Sequence, residues 1–178
     1  SMAEPEQLDL SKLDLDCLER STKRPEEEIQ VFLSSHEIQM LGANIPPPIF
    51  SFDEAPLPQG CFDVFNQLAW KTPTLIQSVA LPIILKGRDI IGIAKTGSGK
   101  TASYVIPALL HCANQIKMGV KEPFVLILAP TRELTIQIGD VVKSFEKATL
   151  SNDSGIELRV VTIFGGGNRR EQMDKCKQ

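Results

Sequence analysis

Ala94-Lys95-Thr96-Gly97-Ser98-Gly99-Lys100-Thr101 lies between a short apolar run at 89–94 (DIIGIA) and a pattern that predicts a helix from about 100 to 117. A strand, a glycine-rich turn ending in Gly-Lys-Thr, and a helix together form the context of a phosphate-binding loop. Gly97 and Gly99 let the backbone curl so that successive N–H groups point inward. Ala94, Lys95, Thr96 and Ser98 complete the cradle. Lys100 reaches the β and γ phosphates as a point charge, and the Thr101 hydroxyl is placed for Mg2+. The helix N-terminus adds its positive end. Ala94 stands where the general pattern has glycine, but the core GxGK[ST] is intact. A glycine-rich turn that merely precedes a lysine is the alternative, and the flanking strand and helix argue against it.

Outward from the loop the chain keeps a regular rhythm. A second apolar run lies at 124–129 (FVLILA), followed by a helical pattern over 132–147. A third lies at 158–164 (LRVVTIF), with a last helix beginning near Asn168. Wholly apolar strands about 30 residues apart, each pair joined by one helix, predict a parallel sheet covered on both faces. Right-handed crossovers then bring the strand ends to one edge, where α/β proteins bind ligands. Pro107, inside the first helical pattern, is expected to kink or shorten that helix.

Upstream, two short helices are predicted at about 60–69 and 75–85. Ile45-Pro46-Pro47-Pro48-Ile49 must be extended, a stiff strap. Pro25 opens a helical pattern over 26–41, with three glutamates placed to oppose the helix dipole. Residues 1–24 are polar with a sparse leucine pattern and read as a mobile acidic tail or a docking segment for protein partners.

Net charge is −3, yet unevenly spread. Residues 1–54 hold 12 acidic and 4 basic side chains, whereas 55–178 hold 10 and 15. The basic part leaves polyanion binding open despite the overall sign. The four cysteines and two histidines show no metal-ligand spacing, which argues against a transition-metal site or disulfide framework and fits a reducing, intracellular setting. No apolar run approaches a membrane span.

Three neighbours bear on which nucleotide machine this is. In Ala69-Trp70-Lys71-Thr72-Pro73-Thr74-Leu75-Ile76-Gln77, a ring that can stack on a purine lies near an amide offering both donor and acceptor. That pair complements adenine, whereas guanine's O6 and N7 both accept. A core tryptophan and a capping glutamine would look the same in isolation. Pro130-Thr131-Arg132-Glu133-Leu134 follows the second strand, where a helix N-terminus offers N–H groups to an anion. Gly165-Gly166-Gly167 follows the third, with Arg169 and Arg170 beyond. Amides and arginines on one edge suit the phosphates of a nucleic-acid strand. Each motif alone reads equally as a capped helix or a tight turn.

Taken in order, these motifs resemble the first RecA-like domain of the DEAD-box ATP-dependent RNA helicases, from about residue 25 onward. AWKTPTLIQ resembles the family's adenine-reading Q motif, with Ala69 in place of the usual glycine. Phe52 falls at the family's isolated upstream aromatic. AxTGxGKT is the family's own form of the loop, which accounts for Ala94. PTREL with Gln137 resembles the first RNA-contacting motif, and Gly165-Gly166 the next. The flank over 26–54 resembles that of the p68 and splicing-helicase branch. The resemblance implies ATP and Mg2+ as cofactors and single-stranded RNA, gripped by its backbone without regard to base sequence, as partner. Trp70 and Gln77 would read adenine with Phe52 and Thr72 beside them. Residues 94–101 would hold the phosphates, with Lys100 and Thr101 serving the chemistry. Pro130, Thr131, Arg132, Glu133, Gly165 and Gly166 would line the RNA. A nuclear rather than cytoplasmic setting is implied by the same branch.

No DEAD, SAT or TPGR segment occurs in the 178 residues. The expectation is a fragment: residues 25–54 a flank and 55–178 the N-terminal part of an incomplete, parallel-sheet RecA-like α/β domain. It is expected to bind ATP weakly, not to hydrolyse it alone, to leave apolar strand edges uncovered and to self-associate. A non-catalytic ATP- or RNA-binding adaptor is the first rival. A small P-loop kinase is the second, and it gives no reason for the Q motif or PTREL.

Overall fold

The computed structural model describes residues 23–117, 123–150 and 160–177. The tail over 1–22 and the first two residues of the third strand segment lie outside the described residues. Among the described residues six α-helices run in order: α1 (Glu26–Ser35), α2 (Gln59–Gln67), α3 (Leu75–Leu85), α4 (Lys100–Lys117), α5 (Arg132–Leu150) and α6 (Arg169–Lys177). A 3-10 turn, Phe52–Glu54, precedes α2. The chain divides into two compact units. One holds the described residues to Leu57 and Phe65–Pro107, and the other holds Pro58–Val64 with those from Ala108 onward.

In the first unit, α1 stops six residues earlier than its pattern. Ser34 Oγ donates back to the Gln30 carbonyl at 2.7 Å, and Ser35 Oγ to that of Phe32 at 3.1 Å. Such bonds compete with the helix ladder. Glu37 then turns to φ 54°, a left-handed conformation that no helix continues through. Pro25 caps this helix with φ −57° and ψ 137° rather than forming its first residue.

The proline strap is held at its far end and just before its start. Ile49 N–H donates to the Ser78 carbonyl of α3 at 3.0 Å, and Arg88 Nη2 to the Ala43 carbonyl at 2.6 Å. Arg24 forms a second clamp. Its guanidinium donates to Glu54 Oε1 at 2.7 Å and to the Pro48 carbonyl at 3.1 Å, and lies 3.7 Å from the centroid of Phe50. Its Nε also meets Glu28 at 3.2 Å. Arg24 is therefore an anchor of the folded flank, whereas the sequence assigned it to the tail.

The segments expected as strands carry no regular secondary structure, and no ladder joins them among the described residues. A strand apolar on both faces needs neighbours and a covering layer. Here Ile91 and Ile93 are each 93% exposed, and Leu126 and Leu128 are 82% and 84% exposed. The apolar side chains of these segments are uncovered, as expected, but the segments do not form strands among the described residues. In the second unit α5 approaches the third segment closely: a Cβ on Gly139 would meet Thr162 Oγ1 at 2.8 Å. Pro107 does not end α4, which continues to Lys117, although the division between units falls directly after it. Among the described residues no helix is long and apolar enough to cross a membrane.

Candidate nucleotide and nucleic-acid site

The loop before α4 has the curl expected of it. Gly97 and Gly99 take φ of 75° and 90°, so residues 96–99 turn sharply into an 18-residue helix. Side chains with a Cβ disfavour such angles. Gly99 has a second constraint, because a Cβ there would lie 2.7 Å from Gln77 Nε2 and 2.9 Å from Thr74 Oγ1. The Lys100 ammonium folds over its own loop, donating to the carbonyls of Ala94 at 2.5 Å and Lys95 at 2.6 Å. Ser98 Oγ is buried there without a hydrogen-bond partner among the described residues. A buried orphan hydroxyl in a polar turn is a group still suited to a polar ligand or water. Thr96 is exposed and Thr101 half-buried.

Thr74 and Gln77 form a capping box at the start of α3, and the Thr74 N–H donates to Gln77 Oε1 at 2.9 Å. The other end of the same amide donates to the Gly99 carbonyl at 3.4 Å. Gln77 is only 1% exposed. The glutamine assigned by sequence to the adenine edge thus links the capped helix to the phosphate loop. Its capping role, left open in the sequence, is realised. Thr72 is exposed beside it.

Trp70 follows α2. The Ala69 N–H donates to the Asn66 carbonyl at 3.1 Å and the Trp70 N–H to that of Phe65 at 2.7 Å. Those two bonds are the Schellman closure of a helix, and Ala69 holds its left-handed position at φ 56°. The departure from glycine at residue 69 therefore falls where glycine is favoured. Phe65, which the sequence reading missed, stacks on Trp70 with centroids 5.9 Å apart and on Phe52 at 4.1 Å. Phe52 is 4% exposed, so it sits beneath Phe65 rather than at the surface.

The motifs assigned to RNA meet within the second unit. The Arg132 guanidinium lies 4.4 Å from the centroid of Phe164, which directly precedes Gly165. Thr131 caps α5: its Oγ1 accepts from the Leu134 N–H at 3.2 Å. The hydroxyl keeps its own proton to donate to an anion. Pro130, Thr131, Arg132, Glu133, Gly165 and Gly166 are all exposed. The Gln172 amide brackets Phe164, accepting from its N–H at 2.9 Å and donating to its carbonyl at 3.2 Å. Asn168 caps α6 by accepting from the Arg170 N–H at 3.1 Å. The Asn168-x-x-Glu171 spacing signals that cap in the sequence; nothing local signals the Gln172 bracket.

Burial pushes the Cys61 thiol up to about 12, and raises that of Cys112 while lowering His111. Among the described residues no group of three or more His, Cys, Asp or Glu is placed to hold a metal ion.

A curled glycine loop, a lysine and a threonine at the N-terminus of a long helix are the arrangement of a P-loop. A family profile described as DEAD/DEAH box helicase matches residues 74–178, and the chain belongs to that family. It is similar to the ATP-dependent RNA helicase DBP2 of Meyerozyma guilliermondii, 40% identical over 151 residues, which cover 84% of this chain and 26% of the relative. It is also similar to the probable ATP-dependent RNA helicase ddx17 of Dictyostelium discoideum. That match is 37% identical over 158 residues, covering 88% of this chain and 19% of the relative. Among solved structures, the RNA helicase Prp28 of Chaetomium thermophilum bound to ADP matches with a TM-score of 0.71 at 36% identity. The match covers 85% of this chain and 35% of that one. The yeast DEAD-box splicing factor Prp28 matches with a TM-score of 0.73 at 28% identity, covering 86% and 36%. The fold class read from the sequence, a RecA-like α/β domain, is the one these neighbours share. The chain spans about a quarter of the length of the curated relatives it matches.

Proposed function

We propose that these residues are the ATP-gripping and RNA-contacting part of an ATP-dependent RNA helicase. The observation that carries this reading is the Gln77 amide, which joins the capped helix that follows Trp70 in the chain to the carbonyl of Gly99 in the phosphate loop. A base held near Trp70 and phosphates held by the loop then belong to one ligand. The ADP named with the Chaetomium neighbour is consistent with that.

The residues fit ATP with Mg2+ on three counts: the curled backbone, the Lys100 ammonium and the unpartnered Ser98 hydroxyl. Residues 94–101 would hold the phosphates, with Lys100 exchanging loop carbonyls for β and γ oxygens. Thr101 would give Mg2+ a single hydroxyl, suited to an ion that keeps phosphate and water as its other ligands. When bound, the ion neutralises charge on the phosphates. For Gln77 to meet an adenine edge, its amide must share or leave the Gly99 carbonyl. Phe52 would act from beneath, through Phe65.

Thr131, Arg132, Gly165 and Gly166 would take RNA phosphates, with Pro130 and Glu133 beside them. Contacts of this kind position a strand without reading its bases. In the whole protein they would serve the remodelling of short duplexes. The 178 residues alone are expected to hold ATP but not hydrolyse it. The exposed Ile91, Ile93, Leu126 and Leu128 favour self-association, the tail over 1–22 is a candidate for protein partners, and a nuclear setting fits the splicing factor among the neighbours.

The test is calorimetric titration of the chain with ADP and GDP in the presence of Mg2+, with a steady-state phosphate-release assay alongside. ADP should bind in preference to GDP. Absence of nucleotide binding, or turnover that Lys100→Ala abolishes, would each overturn part of the reading.

A further inference from the structure

Phe65 belongs to none of the sequence motifs, yet its ring stacks on both Phe52 and Trp70. The planes of Phe52 and Phe65 meet at 24° and those of Phe65 and Trp70 at 19°, with centroid distances of 4.1 and 5.9 Å. Both distances lie near the range in which aromatic rings attract beyond their buried area. The three rings form a column from the flank to the residue placed beside the base.

Local backbone geometry builds the upper half of that column. In a Schellman closure the residue after the left-handed position folds back over the helix residue whose carbonyl it binds. Here those residues are Trp70 and Phe65, so the hydrophobic contact that commonly completes the motif is an aromatic stack. The flank fixes the lower half. Phe52 lies in the 3-10 turn Phe52–Glu54, and Glu54 is held by both Arg24 nitrogens, at 3.2 and 2.7 Å, and by the Phe50 N–H at 3.1 Å. Phe65 is 2% exposed and cannot meet a ligand itself.

We infer that Phe65 is a positioning residue for base recognition. It sets the plane of the Trp70 indole, and the Arg24–Glu54 pair braces it through Phe52. This rests on the reading of Trp70 as the residue that stacks on adenine. The role follows from rigidity: an indole held in one plane has less rotamer freedom to lose when a base stacks on it.

Trp70 is the only tryptophan of the chain, so its fluorescence reports this site alone. The full 178-residue chain is titrated with Mg2+–ADP and, separately, with Mg2+–tripolyphosphate, following Trp70 emission for ADP and calorimetry for both. Phe65→Leu should weaken ADP about three- to tenfold, the equivalent of one aromatic pair. It should also lower the steady-state anisotropy of Trp70 and leave tripolyphosphate affinity unchanged. If Phe65→Leu does not fold, Phe65→Met, which keeps volume and apolarity but not the flat ring, makes the same test. Unchanged ADP affinity overturns the inference. Equal weakening of ADP and tripolyphosphate also overturns it, showing Phe65 to be merely structural. If the unsubstituted chain binds both ligands equally with no change in Trp70 emission, the base-site reading itself fails and the inference with it. That outcome is distinguishable from failure at Phe65 alone.

Discussion

Replacing Ala69 by glycine should make the chain more stable. Ala69 sits at φ 56° after α2, with its own N–H and that of Trp70 bonded back into the helix. An alanine in the left-handed region costs about 1–2 kcal/mol relative to glycine, because Cβ crowds the following carbonyl. Glycine has more freedom to lose on folding, which returns about 0.4–1 kcal/mol of that. The net gain centres on about 0.8 kcal/mol. For a chain of this size that amounts to roughly 1–4 °C in Tm. The assay is urea unfolding followed by far-UV circular dichroism and by Trp70 emission. Ala69→Gly should raise the midpoint with an unchanged slope, since the folded geometry is already the one glycine prefers. Its native emission maximum should stay where it was. An unchanged or lowered midpoint would refute the argument, because it would mean that Ala69 is not held left-handed by those two bonds.

Arg24→Ala should destabilise the chain by about 2–3 kcal/mol. It strips Glu54, whose side chain is only 15% exposed, of its ion pair and removes the cation from Phe50; thermal melts of the variant check it. Arg132→Ala should weaken single-stranded RNA of any sequence by a similar factor and lower the salt slope by about one counterion, read from fluorescence anisotropy across a salt series. The Cys61 thiol, raised from its ordinary 9.0 to about 12 by burial, is held neutral in the fold. The unfolded chain ionises it at the lower value. Its stabilising contribution is therefore full below about pH 9 and is lost as pH rises toward 12. Alkylation of the folded chain at neutral pH should accordingly modify exposed Cys176 and spare Cys61; mass spectrometry of the labelled peptides decides it.

Elements governed by short-range chemistry were legible in the sequence. Apolar patterning marked α3, with a capping Gln77 left as one of two readings, and the Gly-Lys-Thr turn marked the start of α4. The overrun of α1 came from reading periodicity through Ser34 and Ser35, whose hydroxyls bond backward and help to end it. Long-range side-chain contacts were not legible. Arg24 meets Glu54 across 30 positions and Gln77 meets Gly99 across 22, and no local pattern announces either. Phe65 was passed over for the same reason, since a buried aromatic on a short helix reads as ordinary core until its ring partners are known. The exposed Ile91 and Leu126 were foreseen, because strands apolar on both faces need neighbours on both sides.

The central claim is that one nucleotide spans Trp70 and the phosphate loop. Calorimetric titration of the unsubstituted chain and Lys100→Ala with Mg2+–ADP, with Trp70 emission followed in parallel, tests it most directly. The account predicts an emission change in the unsubstituted chain that saturates with the calorimetric isotherm, and at least a tenfold weaker affinity in Lys100→Ala, as loss of a charged contact to phosphate implies. Calorimetric binding that leaves Trp70 emission untouched, or that survives Lys100→Ala unchanged, would contradict it.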